Sequence, residues 1–430
     1  MSLFPERRAV QIHLKTLGCR LNEAELETWA RQFRQLGHGI TTDPDTADLL
    51  VINTCAVTEE AVRKSRRLIR RTHNNNPQAK LVVSGCYASL NPGETGDLPG
   101  VDLLIDNREK DQLPSLVNRQ LTDETMPVIA TEPGENPLFS RGRQRAFIKV
   151  QDGCRYQCTF CIVTRARGEE RSRPVDEIIT EIDELHSQGI REAVITGVHL
   201  GGYGSDLDVD LHELVTEILE RTEIPRLRLG SLEPWDIPEN FWELFHNPRL
   251  MPHLHLPLQS GTNSVLRRMA RRCKTTDFSA LVASARSHVP ELNITTDIIV
   301  GFPGESDAEW QETLFYLENF DFGHIHIFAY SPRPDTRAAG LPNPVAEAIK
   351  KQRSRELHAL LDTMRLSQLE KQVGKRVPVL VENFSESKYW GYTPNYFRIG
   401  FKIEDNNIPA ENSILEIMVT GVDPIKGVLS

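Results

Sequence analysis

Between residues 23 and 36 the apolar side chains Leu26, Trp29, Ala30, Phe33 and Leu36 recur at steps of three and four, the period of one helix face. Short apolar runs at 10–16, 49–52, 81–84 and 101–105 flank this helix and predict strands. A strongly basic helix is expected over 57–71, stopped by Asn74-Asn75-Asn76-Pro77. Strands alternating with helices predict a mostly parallel sheet covered on both faces. The period disappears over 120–145, where Pro127, Pro133, Gly134 and Pro137 mark a connector. It resumes with strands at 146–150, 193–196, 227–230, 254–258, 294–300 and 325–330, separated by helices such as 175–188 and 307–317. A polar helix near 344–370 ends this stretch. The last sixty residues change character, with strands at 377–382, 396–403 and 414–422 and turns of Gly and Asn. The expected fold class is therefore α/β. It comprises an N-terminal parallel-sheet domain (1–120), a linker (121–145), a central domain of six βα units (146–368) and a small all-β domain (369–430).

Composition narrows the class. The 430 residues are 39% apolar and 26% charged, as in a soluble globular protein. No apolar stretch nears the roughly 20 residues of a membrane span. The first ten residues carry Pro5, Glu6, Arg7 and Arg8 and no apolar core, so no secretory signal is expected. Seven cysteines suit a reducing cytoplasm in which thiols serve metals or catalysis. A net charge of -10 weighs against a protein that coats nucleic acid, yet leaves room for a local basic face. Residues 63–71 hold six positive charges in nine positions, and Arg267, Arg268, Arg271 and Arg272 form a second cluster. Such runs fit phosphate contact or a merely solvated helix face. The C-terminal aromatics Phe384, Tyr389, Trp390, Tyr392, Tyr396 and Phe397 fit base stacking or core packing.

The cysteines carry the chemistry. Cys154, Cys158 and Cys161 form a Cys-x-x-x-Cys-x-x-Cys run with Phe160 before the last. Three thiolates at this spacing suit three irons of a four-iron cluster, whose fourth iron stays open to a small molecule. A structural zinc site wants four protein ligands, and no His or Cys follows within twenty residues, although zinc with three ligands and water remains an alternative. A ferredoxin would use four cysteines per cluster. Cys19, Cys55 and Cys86 each follow a predicted strand, in Leu17-Gly18-Cys19, Asn53-Thr54-Cys55 and Ser84-Gly85-Cys86. In an open parallel sheet the strand ends share one rim, where ligands bind. Three cysteines distant in sequence then converge as a second metal site. The alternative is three unrelated buried thiols.

These segments resemble the methylthiotransferases, a family of radical S-adenosylmethionine (SAM) enzymes. The resemblance covers essentially the whole chain. It rests on Thr16-Leu17-Gly18-Cys19-Arg20-Leu21-Asn22, Asn53-Thr54-Cys55-Ala56-Val57-Thr58, Ser84-Gly85-Cys86-Tyr87-Ala88 and Lys149-Val150-Gln151-Asp152-Gly153-Cys154. Arg165-Ala166-Arg167-Gly168, Leu256-Pro257-Leu258-Gln259-Ser260-Gly261 and the run from Asp297 to Glu305 extend it. The resemblance implies a partial (β/α)6 barrel and a C-terminal RNA-binding TRAM-like barrel. It implies two [4Fe-4S] clusters, one on Cys154, Cys158 and Cys161 and one on Cys19, Cys55 and Cys86, with SAM as radical source and methyl donor. Cys273, where the family often has Tyr, is assigned no metal.

The implied reaction inserts sulfur and a methyl group at adenine C2 of tRNA position 37. That C–H bond offers no handle to acid-base catalysis, so the cofactor supplies a 5′-deoxyadenosyl radical while the protein positions and shields it. Thr196-Gly197-Val198-His199-Leu200-Gly201, Ser231-Leu232-Glu233-Pro234, Tyr330-Ser331-Pro332-Arg333-Pro334-Asp335-Thr336 and Gly391-Tyr392-Thr393-Pro394-Asn395-Tyr396 resemble the branch acting on N6-threonylcarbamoyladenosine. Isopentenyladenosine and a ribosomal-protein aspartate are the substrates of the other branches, and a non-catalytic zinc-containing RNA-binding protein is a rival from another class. The SAM pocket is expected at Phe160, Gly197, Ser231, Glu233, Gln259 and Gly301. Gly197-Val198-His199 stands where many radical SAM enzymes carry Gly-Gly-Glu, which leaves the partner of the SAM amino group open. Implied partners are the tRNA anticodon stem-loop, a reductant protein such as flavodoxin or ferredoxin, and a sulfur donor, met by a cytoplasmic monomer with no membrane association.

Overall fold

The computed structural model describes residues 10–121, 145–403, 412–423 and 427–430. Residues 1–9 and most of the expected connector, 122–144, lie outside the described residues. The chain separates into two compact units. The first takes the described residues up to 121 together with Gly153–Arg155 and Cys161–Glu169; the second takes the rest.

The first unit is a five-stranded parallel sheet with helices on both faces. Its strands are β1 (Gln11–Thr16), β2 (Gly39–Ile40), β3 (Leu49–Thr54), β4 (Lys80–Gly85) and β5 (Leu103–Ile105), in the order β2-β1-β3-β4-β5. Period two decides which side each residue serves. Leu49 and Val51 face a core with Trp29, Phe33 and Leu113, from helices α1 (Arg20–Gln35) and α5 (Leu113–Gln120). Leu50 and Ile52 face a second core with Val62, Ile69 and Tyr87, from α2 (Glu59–Asn75) and α3 (Cys86–Leu90). Burial on both faces explains why these strands are apolar runs without alternation. Thr58 caps α2 by accepting from the Ala61 N–H at 3.1 Å. A short helix α4 (Pro92–Gly96) precedes β5, and α6 (Val163–Arg167) joins this unit from beyond the cysteine run.

The second unit opens with six parallel strands in two groups. Strands β6 (Arg145–Lys149), β9 (Glu192–Thr196) and β10 (Arg226–Leu229) form one group; β11 (His253–His255), β12 (Asn293–Val300) and β13 (His324–Ala329) form the other. Bridges Leu227–Leu250 and Ser231–His255 run between them. Between β6 and β9 lies a small ribbon of β7 (Gln151–Asp152) and β8 (Arg171–Ser172). Helices α7 (Val175–Ser187), α8 (Leu211–Arg221), α9 (Asn263–Arg268), α10 (Thr275–His288) and α11 (Asp307–Glu318) connect the strands. Capping boxes start α8 at Asp210 and α11 at Ser306, each satisfying two otherwise orphaned N–H groups. The long α12 (Glu347–Glu370) leads out of this open barrel.

A six-stranded all-β sheet follows: β14 (Arg376–Ser385), β15 (Lys388–Tyr392), β16 (Arg398–Phe401), β17 (Ile414–Met418), β18 (Val422–Asp423) and β19 (Val428–Leu429). Glu386 and Ser387 adopt φ of 52° and 58°, the conformation of a two-residue hairpin turn. The six C-terminal aromatics divide. Trp390 and Phe397 are buried, and Phe384 is exposed. Tyr392 and Tyr396 stack on each other with centroids 4.7 Å apart and receive the Arg145 guanidinium over both rings. They therefore join the sheet to the barrel. Arg145 also meets Glu192 at 3.1 Å and Glu382 at 2.8 Å. Arg228 donates to both Glu192 oxygens at 3.1 and 3.2 Å. Arg226 donates to the carbonyls of Pro378 and Tyr392. Burial works against the Glu192 carboxylate, but Arg228 and Arg145 outweigh it and hold its pKa near about 2.

Candidate functional site

The first unit brings its three cysteines to one rim. Strands β1, β3 and β4 are adjacent and parallel, with Thr16 beside Asn53 and Thr54 beside Gly85. Their C-terminal ends therefore align, and Cys19, Cys55 and Cys86 lie one to three residues beyond. Cys19 caps the N-terminus of α1 with extended backbone, where the helix dipole favours a thiolate. Gly18 has φ of 113°, and a Cβ there would stand 2.8 Å from both the Cβ and Sγ of Cys55. Only glycine allows this approach. Burial pushes the Cys55 thiol up to about 11, with Cys86 and Cys19 adding to the rise. Cys19 is exposed as a residue, yet desolvation of its sulfur raises its pKa, opposed by Arg167. The three thiols thus feel one another's charge.

Arg167 comes from the segment after the second cysteine run, within this same unit. Its Nη2 donates to Asn22 Oδ1 at 2.7 Å, and its Nη1 to Glu25 Oε1 at 2.9 Å. Lys110 reaches the same Glu25 oxygen at 2.5 Å. Asn22 turns its amide to the carbonyls of Leu17 and Thr54 and its oxygen to the Cys19 thiol at 3.6 Å. A buried polar network therefore holds the backbone that presents Cys19 and Cys55.

The loop with Cys154, Cys158 and Cys161 alternates between the units. Cys154 donates its N–H to Gly168 O at 3.2 Å, and Cys161 Sγ accepts from the Val163 N–H at 3.4 Å, both in the first unit. In the second unit Arg271 Nη1 lies 3.9 Å from Cys158 Sγ, while its guanidinium sits 4.3 Å from the Trp235 ring centroid. Thr159 is pinned through its N–H to Met269 O, its hydroxyl to Arg268 O and its carbonyl to the Ala338 N–H. That fixes Phe160, which packs on the cluster of Val265, Met269, Phe302 and Tyr330.

The other residues expected around SAM all follow C-terminal strand ends of the open barrel. Gly197 faces the Gln151 side chain, which accepts the His199 N–H at 2.8 Å. Ser231 is exposed beside His255. Glu233 is largely buried and its carboxyl is raised by that burial. Gln259 adopts φ of 81° and exchanges backbone hydrogen bonds with Asp297 and Ile299. Gly301 donates its N–H to Glu305 at 2.7 Å; the stem of Lys350 takes up the space beside its missing side chain.

Comparison with known proteins agrees with this architecture. The family described as Uncharacterized protein family UPF0004 matches residues 11–106, and the Radical SAM superfamily matches residues 148–317. The threonylcarbamoyladenosine tRNA methylthiotransferase MtaB of Thermotoga maritima is 38% identical over 379 residues, covering 86% of each chain. MtaB of Bacillus subtilis is 36% identical over 404 residues, covering 90% of this chain and 89% of its own. The tRNA-2-methylthio-N(6)-dimethylallyladenosine synthase of Bacillus subtilis is 33% identical, covering 91% of this chain and 80% of its own. The chain belongs to the radical SAM methylthiotransferases. Among solved structures, the radical SAM methyltransferase TsrM of Kitasatospora setae shares the fold, with a TM-score of 0.59 at 15% identity over 77% of each chain.

A radical SAM methylthiotransferase works with an iron–sulfur cluster and SAM. Three soft thiols at an open rim beside one guanidinium suit a polyanionic cluster left one ligand short. Sequence reasoning passed over three features of this methylthiotransferase. Nothing in the sequence marks Arg167 beyond its place in Arg165-Ala166-Arg167-Gly168. Arg271 was grouped with a basic cluster, although Arg268 pairs with Glu309 at 2.8 Å and Arg272 lies over Tyr156, so that cluster is largely consumed internally. The third is His199, whose Nδ1 stands 2.5 Å from Glu170 and whose Nε2 stands 2.7 Å from Asp236. Tyr156 also donates to Asp236, at 2.8 Å. Burial opposes the imidazolium, but Asp236, Glu233 and Glu170 prevail and raise its pKa. The one sequence signal was the departure from Gly-Gly-Glu at Gly197-Val198-His199.

Proposed function

We propose that this enzyme methylthiolates C2 of N6-threonylcarbamoyladenosine at position 37 of tRNA. The observation that carries the reading is the convergence of Cys19, Cys55 and Cys86 on one rim, in a chain that also carries the radical SAM run. The extended likeness to MtaB supports the substrate. We assign a [4Fe-4S] cluster to Cys154, Cys158 and Cys161 and a second to Cys19, Cys55 and Cys86. When bound, the first supplies reductive cleavage of SAM for hydrogen abstraction, and the second supplies sulfur. Phe160, Gly197, Ser231, Glu233, Gln259 and Gly301 are assigned to the SAM pocket.

The protein's own residues bind, orient and shield. Arg167 and Asn22 hold the backbone around Cys19 and Cys55. Arg271 sets a positive charge beside Cys158 and tunes its electronics from outside the ligand set. His199, clamped between carboxylates at the end of β9, offers a fixed polar wall for the amino-acid part of SAM. On α2, Arg63 and Lys64 pair with Glu60, and Arg66 pairs with Glu94. Arg67, Arg70 and Arg71 are exposed and have no ion pair among the described residues, so they are assigned to tRNA phosphate. The division into domains 1–120, 146–368 and 369–430, a TRAM-like RNA role for the last, a flavodoxin or ferredoxin reductant and a separate sulfur donor complete the proposal.

Nucleoside mass spectrometry tests it. The gene is expressed in a bacterial strain without its own position-37 methylthiotransferases, beside Cys158→Ala and Cys55→Ala controls. The expected result is 2-methylthio-threonylcarbamoyladenosine, absent from both controls. The methylthio-isopentenyl nucleoside in its place would reassign the substrate, and neither nucleoside from a cluster-loaded protein would refute the reading.

A further inference from the structure

Three side chains of the second unit meet outside both cysteine sets and outside the residues assigned to SAM. His255 ends β11, Asp297 lies in the middle of β12 and His326 lies in β13. The register sets His255 beside Thr295 and Asp297 beside His326. Thr295 and Asp297 are two apart and share a face, so His255 and His326 flank Asp297 on that face. The ligating atoms of all three lie within 4.8 Å of one another. His255 Nε2 is 3.2 Å from Asp297 Oδ1, and the His255 and His326 ring centroids are 5.3 Å apart.

These spacings suit one shared ion. A metal about 2.0–2.1 Å from its tetrahedral ligands keeps any two of them about 3.3 Å apart, and two imidazole centroids about 5 Å apart. An ordinary hydrogen-bonded pair accounts for His255 and Asp297 but leaves the third member unexplained. His326 touches the His255 and His324 rings and makes no hydrogen bond among the described residues. Asp297 has no Lys or Arg partner among the described residues, only His255. Thr295 Oγ1 lies 2.9 Å from His255 Nδ1, and an outer contact of this kind orients a ligating imidazole through its other nitrogen. All three residues stand on strands of one sheet, which hold a ligand set more precisely than loops do.

The site is also reachable. His255 and Asp297 are half-buried and His326 is exposed, so an ion has a path from solvent. His255 and His326 border a cavity of about 410 Å³, which leaves room for water at a further coordination position. Two imidazole nitrogens and one carboxylate oxygen make a donor set for a transition metal. Ca²⁺ and Mg²⁺ favour all-oxygen sets.

We propose that His255, Asp297 and His326 bind a divalent transition-metal ion, with zinc the best fit, and leave one position open to water or an anionic oxygen. The site is independent of the two cysteine sets and of which nucleoside the enzyme modifies.

The test is zinc retention by the anaerobically reconstituted full-length enzyme. After dialysis against buffered zinc, zinc, iron and sulfide are counted per chain in the wild type, Asp297→Asn, His326→Gln and His288→Gln. His288 is exposed at the end of α10 and serves as the control. The wild type and His288→Gln should each hold about one zinc more than the other two, whose affinity should fall by about tenfold or more. Iron and sulfide should be alike in all four, which also reports an intact fold. Zinc on any unfilled cysteine site is common to the four proteins and cancels in the difference. The K-edge absorption of the variant-sensitive zinc should show nitrogen and oxygen neighbours at about 2.0–2.1 Å with imidazole scattering. Equal zinc in all four proteins, sulfur neighbours at about 2.3 Å, or no zinc retained by the wild type would each overturn the site.

Discussion

Arg167 lies six residues past Cys161, yet its guanidinium serves Asn22 and Glu25 beneath the Cys19 rim. Replacing it by Met removes a buried guanidinium from both Glu25, which keeps Lys110 and Asn53, and Asn22 Oδ1. We expect a loss on the order of 2–3 kcal/mol in urea unfolding, partly restored by Lys. The same variant should release iron from the Cys19, Cys55 and Cys86 site faster under a chelator. Gly18→Ala acts on that site by another route. It places a methyl group against Cys55 at a φ of 113°, and strain of about 1–3 kcal/mol is expected. Chelator-induced bleaching should accelerate, while a variant such as Gly189→Ala, where φ is also positive but no atom lies within 4 Å, should leave bleaching unchanged. The role of Arg167 is not legible in the sequence. Sequence spacing marks ligands by type, but which arginine supports them depends on where a later loop returns.

At the scale of elements, α2 separates charge count from available charge. Six positive residues in sequence reduce to three without ion pairs, because acids at Glu60 and Glu94 claim the others. Changing Arg67, Arg70 and Arg71 to Ala should weaken tRNA binding and lower the slope of log K against log salt by about two to three. An unchanged slope would leave α2 a solvated face. Strand β9 offers a pH test at its buried Glu192. Its folded pKa lies below the unfolded value of about 4.3. Its contribution is therefore complete above that value and is lost as pH falls toward about 2. Glu192→Gln should cost about 3 kcal/mol or more at pH 7, since it strands buried arginines. The difference from wild type should shrink below about pH 4 in chemical denaturation. The strand-helix alternation was readable because each run was long and apolar. β15 was missed because Lys388–Tyr392 mixes aromatic, charged and glycine residues.

On the scale of the whole molecule, the two cysteine sets were legible by different logics. The run at Cys154 is local, so spacing alone proposes it as a cluster site. Cys19, Cys55 and Cys86 became a candidate site only through the rule that parallel strand ends share a rim, and the order β1-β3-β4 does place their strands side by side. Family membership accounts for the presence of a radical SAM domain, but the central claim is that two three-cysteine sites each hold a four-iron cluster. The most direct measurement is iron and sulfide per chain after anaerobic reconstitution. About eight irons with matching sulfide are expected for the wild type, and about four for a Cys19, Cys55 and Cys86 triple Ala variant. Four irons in both proteins, or zinc without sulfide at the rim, would contradict it.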